Sequence, residues 1–195
     1  MSKAEKTRQF IVEKAAPVFN VKGYAGTSIN DLINATGLTK GSIYGNFTNK
    51  DEVALAAFDH NLKCMLGSLQ KEMDKQTSAK EKLLVYSEIY GELMRESFPV
   101  GGCPVLNTST EADDTHPELR KKAAQAIMSW KSSIATTIKK GISNNEFRSD
   151  IDPEQIAITL VALIEGGIMI GKVTGSENYR IAIMKSVKKM INDLE

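Results

Sequence analysis

Apolar residues recur at steps of three and four along most of the chain, and this spacing limits its fold more than any other feature. One such series runs through the middle of the sequence: Leu119, Ala123, Ile127, Trp130, Ile134, Ile138 and Ile142. These steps place side chains on one face of an α-helix, which has ~3.6 residues per turn. Strict alternation, which would predict strands, is almost absent. The sequence therefore predicts an all-α protein.

Interruptions of this spacing predict about nine helices. Gly, Pro and Ser-Asn-Asn stretches separate the apolar series, and Asp152 before Pro153 is typical of a helix start. The predicted helices cover residues 4–22, 28–34, 39–45, 50–75, 79–97, 103–112, 116–143, 153–173 and 176–194.

Composition and apolar run lengths argue against a secreted, a membrane-spanning or a disulfide-stabilised protein. Of 195 residues, 42% are hydrophobic and 25% charged, which is typical of a globular protein. The N-terminus is charged from its third residue, unlike a secretion signal, and no apolar run reaches the ~18 residues that span a membrane. Two cysteines cannot form a disulfide framework. We therefore expect a cytoplasmic protein with no membrane partner.

Positive charge is concentrated at the start of the chain. Residues 1–50 contain seven Lys and Arg against three Asp and Glu, a net charge of +4, whereas residues 51–195 have a net charge of −3. A basic segment is expected where a protein meets a polyanion such as DNA. Scatter can also produce such a difference, so the asymmetry favours nucleic acid only modestly.

Two short predicted helices lie between Thr27 and Phe47. Helices of this length are not stable alone in water, so they must pack against each other and against the first helix. Gly37 lies at the turn between them, where a positive φ is needed. Apolar residues on both sides of the turn supply a shared core: Ile29, Leu32, Ile33, Leu38, Ile43 and Phe47. This pattern predicts a helix-turn-helix unit, whose second helix enters the major groove of DNA.

The residues left on the outer face of this unit suit contacts with DNA. Hydroxyl groups bond base edges and phosphates, glycine permits close approach, and lysine pairs with phosphates. The predicted DNA-binding residues are Thr27, Ser28, Thr39, Lys40, Gly41, Ser42, Tyr44 and Lys50. A helical hairpin that binds nothing is the alternative that these residues leave open.

The segment from Phe10 to Phe58 resembles the N-terminal domain of TetR/AcrR-family transcriptional regulators. The matching residues are Ala15, Phe19, Gly23, Tyr24, Thr27, Leu32, Gly37, Lys40, Gly41, Ser42, Ile43, Tyr44, Phe47 and Lys50. The resemblance implies a DNA-binding domain over residues 1–49 and a ligand-binding and dimerisation domain over residues 50–195.

Three positions depart from the family pattern. Gly45 and Asn46 stand where relatives commonly have an aromatic residue and a His, so Asn46 is the remaining candidate for the phosphate contact expected from that His. Ile33 stands where a small Ala is usual. These departures leave the operator sequence unpredicted.

The last two predicted helices suit pairing of two copies of the chain. A two-fold dimer sets two recognition helices about one duplex turn (~34–36 Å) apart, which a specific operator requires. Glycines inside an apolar helix allow another helix to approach closely, and the family resemblance implies the same homodimer. The predicted interface residues are Ile156, Leu160, Leu163, Gly167, Ile170, Met184, Val187 and Ile191. The core of a monomer is the alternative.

Aromatic and methionine residues are frequent between residues 50 and 143. Such residues line adaptable apolar pockets, although they also fill ordinary cores. The family resemblance implies an inducer pocket here, with the inducer unidentified and no cofactor. The predicted lining residues are Met65, Tyr86, Tyr90, Met94, Cys103, Leu106, Met128 and Trp130.

Cys103 lies in a Gly-Gly-Cys-Pro segment at the start of a predicted helix. The partial positive charge of a helix N-terminus lowers the pKa of a thiol and makes it more reactive. The segment resembles a branch of the family that includes the electrophile-sensing repressor of the N-ethylmaleimide reductase operon. That resemblance implies a redox sensor at Cys103, assisted by Lys172. A small buried structural cysteine is the alternative.

Other chemistry is weakly supported. Helix capping explains the cluster of Glu111, Asp113, Asp114 and His116 better than a metal site does. No nucleotide-binding, metalloprotease or Cys-His nucleophile motif occurs, so no catalytic or metal-ligating residue is predicted. We expect a repressor that a small-molecule inducer releases from a palindromic DNA operator. A redox-sensing repressor acting through Cys103, and a helical protein-interaction adaptor, are the alternatives.

Overall fold

The computed structural model describes residues 2–91 and 98–195, and these residues form nine α-helices and no strand. In chain order the helices are α1 (Lys3–Lys22), α2 (Ile29–Thr36), α3 (Lys40–Tyr44), α4 (Lys50–Met73), α5 (Ala79–Gly91), α6 (Pro104–Ala112), α7 (Pro117–Ser143), α8 (Pro153–Thr174) and α9 (Glu177–Asn192). The predicted all-α fold is confirmed. The last six residues of the predicted helix 79–97 lie outside the described residues, as does Met94.

Capping side chains explain where several helices begin. The Ser2 hydroxyl accepts a hydrogen bond from Glu5 N, and the Glu5 carboxylate accepts one from Ser2 N. Asp152 Oδ1 accepts from Glu154 N and Gln155 N at the start of α8. Such caps satisfy N–H groups that have no partner inside the helix. The predicted boundaries, apart from the end of α5, agree with the structure to within two residues.

The chain divides into two compact units. The first comprises Met1–Met65 and Pro99–Ala123, and the second comprises Leu66–Phe98 and Ala124–Glu195. The first unit therefore contains α6 together with the helix-turn-helix region. The predicted division at residue 49 concerns function and stays a prediction.

The first unit has a core shared by α1, α2, α3 and the start of α4. Its fully buried members include Ile11, Leu32 and Ile43, and Phe47 is only 2% exposed. Burial of a Leu or Ile side chain contributes about 1.5–3 kcal/mol. This core fixes α2 and α3 against α1, which they need because helices this short are not stable alone in water.

The second unit is built mainly on contacts that α9 makes with α8 and α5. Leu83, Leu160, Ile164, Val187 and Ile191 are fully buried in it. Arg180 of α9 is also buried, and its Nη1 atom donates to the carbonyl oxygen of Tyr90 of α5 at 3.0 Å. This bond gives the buried guanidinium group a hydrogen-bond partner.

Candidate nucleic-acid interface

The start of α2 is held by reciprocal bonds between Ser28 and Asp31. Ser28 Oγ accepts from Asp31 N at 3.2 Å, and the Asp31 carboxylate accepts from Ser28 N at 2.8 Å. Lys22 pairs with the same carboxylate at 2.5 Å. Lys22 and the Ser28 donors hold the pKa of Asp31 well below its usual range. The exposed Ser28 hydroxyl therefore already serves as a helix cap.

The turn between α2 and α3 is set by Gly37 and Thr36. Gly37 has φ +70°, a left-handed conformation that only glycine adopts without strain. Thr36 Oγ1 donates to Leu32 O at 2.7 Å and accepts from Leu38 N at 3.2 Å. Both contacts fix the direction in which α3 leaves the turn.

The N-terminal end of α3 faces away from the protein. Thr39, Lys40 and Gly41 are exposed, whereas Ile43 of α3 and Phe47, three residues after the end of α3, are buried in the core of the first unit. Thr39 Oγ1 caps the helix by accepting from Ser42 N at 3.1 Å. The arrangement presents a lysine, a hydroxyl and an uncovered stretch of backbone at one edge, which are groups that contact DNA bases and phosphates.

Tyr44 and Asn46 lie at the C-terminal end of α3, where Arg8 of α1 holds the backbone. Tyr44 is half-buried against the core of the first unit. Asn46 Nδ2 donates to Ser42 O at 2.9 Å. Arg8 donates to the carbonyl oxygen of Asn46, stacks 3.9 Å above the Phe47 ring and pairs with Glu52 at 2.6 Å. Sequence reasoning missed Arg8 because its partners lie about 40 residues away.

Thr27 and Lys50 are engaged inside the first unit. Thr27 is 1% exposed, and its hydroxyl donates to Gly23 O at 2.6 Å. Lys50 Nζ donates to Tyr24 O at 2.9 Å and Thr27 O at 3.1 Å, and lies 4.1 Å above the Tyr24 ring. An ammonium has three donors, so one is left for a phosphate. The predicted DNA contacts of both residues stay predictions.

The Tyr24 hydroxyl extends this arrangement by donating to Asp51. The bond to Asp51 and partial burial raise the pKa of Tyr24 to about 12. Its ring meets the His116 ring edge-on at 4.5 Å between centroids. Tyr24 therefore links the turn after α1 to the start of α4.

The predicted ligand-lining residues fall in both units. Met65, Cys103 and Leu106 are in the first, and Tyr86, Tyr90, Met128 and Trp130 are in the second; Met94 lies outside the described residues.

Within the second unit, three of the predicted lining residues form a cluster of rings. The ring centroids of Tyr90 and Trp130 are 5.6 Å apart, and those of Tyr86 and Trp130 are 6.0 Å apart. Burial raises the pKa of Tyr86 to about 12. Met128 instead points outward and is 55% exposed. Buried aromatic rings of this kind can form the wall of a site for an apolar ligand, and the pocket stays a prediction.

Cys103 is fully buried at the start of α6. Its Sγ atom is 3.9 Å from Met65 Sδ. Lys172 lies exposed in the last turn of α8, in the other unit. Reactive cysteines are partly exposed, so burial of this thiol favours the structural alternative over a sensor.

Most of the residues predicted for a dimer interface are packed against other residues of the same chain. Five of the eight are buried: Leu160, Gly167, Met184, Val187 and Ile191. A Cβ atom at Gly167 would lie 2.9 Å from the end of the Met184 side chain of the same chain. Ile156 and Leu163 are half-buried, and Ile170 is 37% exposed. The bare backbone of Gly167 thus admits Met184 of α9 in the same chain, and the role of the eight residues in pairing two copies stays a prediction.

A different face of α8 is uncovered. Ile158, Ala162, Met169 and Val173 are exposed and follow one another at helical spacing. Of the described residues, only α8 is long and apolar enough to cross a membrane, with mean hydropathy 1.9 over an 18-residue window that is 33% buried. Length and composition alone make this weak evidence for a membrane, since core helices pass the same test. A row of exposed apolar side chains along one helix face indicates a contact surface.

The fold and the exposed end of α3 define a helix-turn-helix protein, and comparison with known families identifies which one. The family described as "Bacterial regulatory proteins, tetR family" matches residues 11–57. The family described as "Tetracyclin repressor-like, C-terminal domain" matches residues 79–187. The chain therefore belongs to the TetR family of transcriptional regulators, as its resemblance predicted.

Solved structures agree with this assignment. A TetR-family transcriptional regulator from Cytophaga hutchinsonii is 52% identical, with a TM-score of 0.97 over 100% of this chain and 98% of that one. A TetR transcriptional regulator from Chloroflexus aurantiacus is 33% identical, with a TM-score of 0.93 over 98% and 97%. The reduced form of NemR from E. coli is 18% identical, with a TM-score of 0.80 over 95% and 97%. This last likeness shows a shared fold only.

Proposed function

We propose that this TetR-family regulator is a homodimeric repressor that binds a palindromic operator through α3 and that a small-molecule inducer releases. The observation that carries the proposal is the opposite placement of residues on α3. Thr39, Lys40 and Gly41 are exposed at its start, while Ile43 on its other face and Phe47 just after it are buried and anchor it. A helix anchored in this way can insert its N-terminal end into a major groove.

The contacts that we propose differ in kind. Lys40 pairs with a phosphate, and Thr39 and Ser42 offer hydroxyls to phosphates or base edges. Gly41 carries no side chain, and the nearest heavy atom to a Cβ built there is 3.9 Å away, so a duplex can approach its backbone. The Tyr44 hydroxyl and Asn46 amide supply phosphate contacts at the other end of the helix.

Two copies pair in this proposal through the uncovered face of α8. Ile158, Ala162, Met169 and Val173 form an exposed apolar face of α8, and Gly166 has no atom within 4 Å of a built Cβ. The gap at Gly166 leaves room for a partner helix. Pairing about a two-fold axis gives two α3 helices one duplex turn apart.

The inducer in this proposal binds among the aromatic residues of the second unit. Tyr86, Tyr90 and Trp130 supply a buried apolar wall that a small organic molecule can contact. A preference of about 1–3 kcal/mol for one of two conformations is enough to change DNA affinity. Regulation of this kind places the protein on DNA in the cytoplasm, with no membrane partner.

Selection of DNA by the protein tests the proposal. The full chain is incubated with random duplexes of about 25 base pairs, enough for two half-sites a turn apart, and bound sequences are enriched. We expect an inverted repeat. Lys40→Ala and Tyr44→Ala should each weaken binding in a gel shift without loss of helix content, and Lys188→Ala on α9 serves as the control. Unchanged affinity of both α3 variants, or the absence of any enriched sequence, would contradict the proposal.

A further inference from the structure

Residues 99–112, which precede and form α6, contact the end of α1 and the turn that leads to α2. This segment belongs to the matched C-terminal family domain, yet it lies in the same compact unit as the helix-turn-helix. Its contacts are made by polar side chains onto backbone groups, which makes them specific in direction as well as in distance.

Glu111 holds the backbone immediately before α2. Its Oε2 atom accepts from Tyr24 N and its Oε1 atom accepts from Ala25 N, both at 2.8 Å. Gly23 makes this approach possible, because a Cβ atom there would overlap the Glu111 carboxylate. A carboxylate that accepts two N–H groups forms stronger bonds than a neutral acceptor does.

Asn107 holds the end of α1 from the same face of α6. It lies four residues before Glu111, so the two side chains are neighbours on the helix surface. Asn107 Nδ2 donates to Asn20 O at 3.0 Å, a carbonyl that the helix itself leaves without a partner. In return, Asn20 Nδ2 donates to Val100 O at 2.8 Å and Gly102 O at 2.9 Å.

These bonds connect α6 to α2 and α3, because only a few residues separate the bonded turn from the start of α2. Ala25 is separated from the start of α2 by three residues, and α2 packs on α3 through the buried Leu32 and Ile43. A displacement of α6 must therefore either break the bonds of Glu111 and Asn107 or move the turn before α2.

We propose that Glu111 and Asn107 are positioning residues for DNA binding: they fix the turn at Tyr24 and Ala25, and thereby the orientation of α2 and α3. They contact no DNA themselves. The inference makes residues 99–112 a part of the C-terminal family domain that acts directly on the helix-turn-helix. Two measurements test the inference, hydrogen exchange and DNA affinity, and only the second rests on the proposed DNA-binding function.

The first readout is hydrogen exchange of the full chain without DNA. Glu111→Gln keeps the size of the side chain but removes its charge and one acceptor. We expect the amides of Tyr24 and Ala25 to exchange at least about tenfold faster, and those of residues 29–47 to exchange about threefold faster or more. Asp114→Asn, an equal charge change at an exposed position, is the matched control. Asn107→Ala should act in the same direction through the end of α1.

The second readout is affinity for the selected duplex, and it separates positioning from simple electrostatics. Removal of a negative charge from a DNA-binding unit by itself strengthens binding. We expect Glu111→Gln instead to bind about three- to tenfold more weakly than Asp114→Asn, because charge-assisted bonds to the turn are lost. Both variants should keep the helix content of the wild type.

Three results would overturn the inference. Unaltered exchange at Tyr24 and Ala25 would mean that Glu111 does not hold these amides. Faster exchange confined to those two amides would mean that the turn does not control α2 and α3. If Glu111→Gln binds the duplex with the same affinity as Asp114→Asn, the bonds of Glu111 do not position α3. Failure of the wild type to bind any duplex would defeat the proposed function instead, and the exchange measurements would still decide the inference.

Discussion

At the scale of single residues, Lys50 can both stabilise a turn of the protein and contact a DNA phosphate. Its ammonium group donates to the carbonyl oxygens of Tyr24 and Thr27, which stabilises the turn between α1 and α2. A phosphate contact would use only the remaining N–H. Lys40, by contrast, is exposed at the start of α3. The two lysines should therefore affect DNA binding in different ways.

Salt dependence distinguishes these two lysines. Each phosphate contact that is lost lowers the magnitude of the slope of log affinity against log salt by about 1. We predict that Lys40→Ala reduces the slope by this amount. Lys50→Ala should weaken binding at every salt concentration, because it removes the two bonds that hold the turn. Fluorescence anisotropy across a salt series measures both, and a reduced slope for Lys50→Ala would show that it contacts a phosphate.

Single residues also show where prediction from sequence stops. The roles of Ile43, Phe47 and Gly37 follow from spacing and from local backbone needs, and the structure agrees with them. Arg8 and Glu111 act on backbone groups about 40 and 86 residues away, respectively. No local pattern reveals such contacts, and in the sequence Glu111 is only one member of an acidic cluster.

At the scale of helices, Glu154 at the start of α8 joins that helix to α7. It pairs with Lys131 at 2.5 Å and with Lys139 at 2.7 Å. Lys131 and Lys139 hold the pKa of Glu154 at about 2, below its ordinary value of 4.5. Because the pKa is lower in the folded state, the pairing stabilises the fold above pH 4.5. That stabilisation is lost as the pH falls through the pKa of the folded state.

Glu154→Gln tests this pairing. We predict that the difference in free energy of unfolding between wild type and variant is largest above pH 4.5 and narrows as the pH approaches about 2. Urea unfolding at a series of pH values measures it. In a background carrying Lys131→Met and Lys139→Met, the same substitution should show no such narrowing. A pH-independent difference in the wild-type background would contradict the pairing.

The positions of the helices could be predicted from the sequence. The face of each helix that packs against the rest of the protein could not. Steps of three and four identified the apolar faces, and caps such as Asp152 located the ends. Helix α8 is apolar on both sides, with Leu160 and Ile164 on one and Ile158 and Met169 on the other. Periodicity cannot tell which side meets α9 and which side is left exposed, since both satisfy the same pattern.

At the scale of the whole molecule, the exposed face of α8 sets the expected assembly. We predict that Met169→Glu converts the dimer to a monomer, because it places a charge in an apolar interface where it has no partner. Light scattering after size exclusion should give twice the 21.4 kDa chain mass for the wild type and the single mass for the variant. Gln155→Glu, at an exposed polar position of α8, is the control and should stay dimeric.

Assembly and DNA binding are linked in this account. Each chain supplies a single α3, so a monomer reads one half-site and loses most of its specificity against competing DNA. Met169→Glu should therefore lose affinity for the selected duplex although its helix-turn-helix is unchanged. A monomeric variant with full affinity would separate the two properties.

A footprint of the protein on its selected duplex tests the central claim most directly. If two copies each insert α3 into a major groove, chemical probing should give two protected groove patches, related by a two-fold axis and separated by about one helical turn, or about 10 base pairs. Lys40→Ala should weaken protection of both patches equally. A single patch, or two patches unaffected by this substitution, would contradict the account.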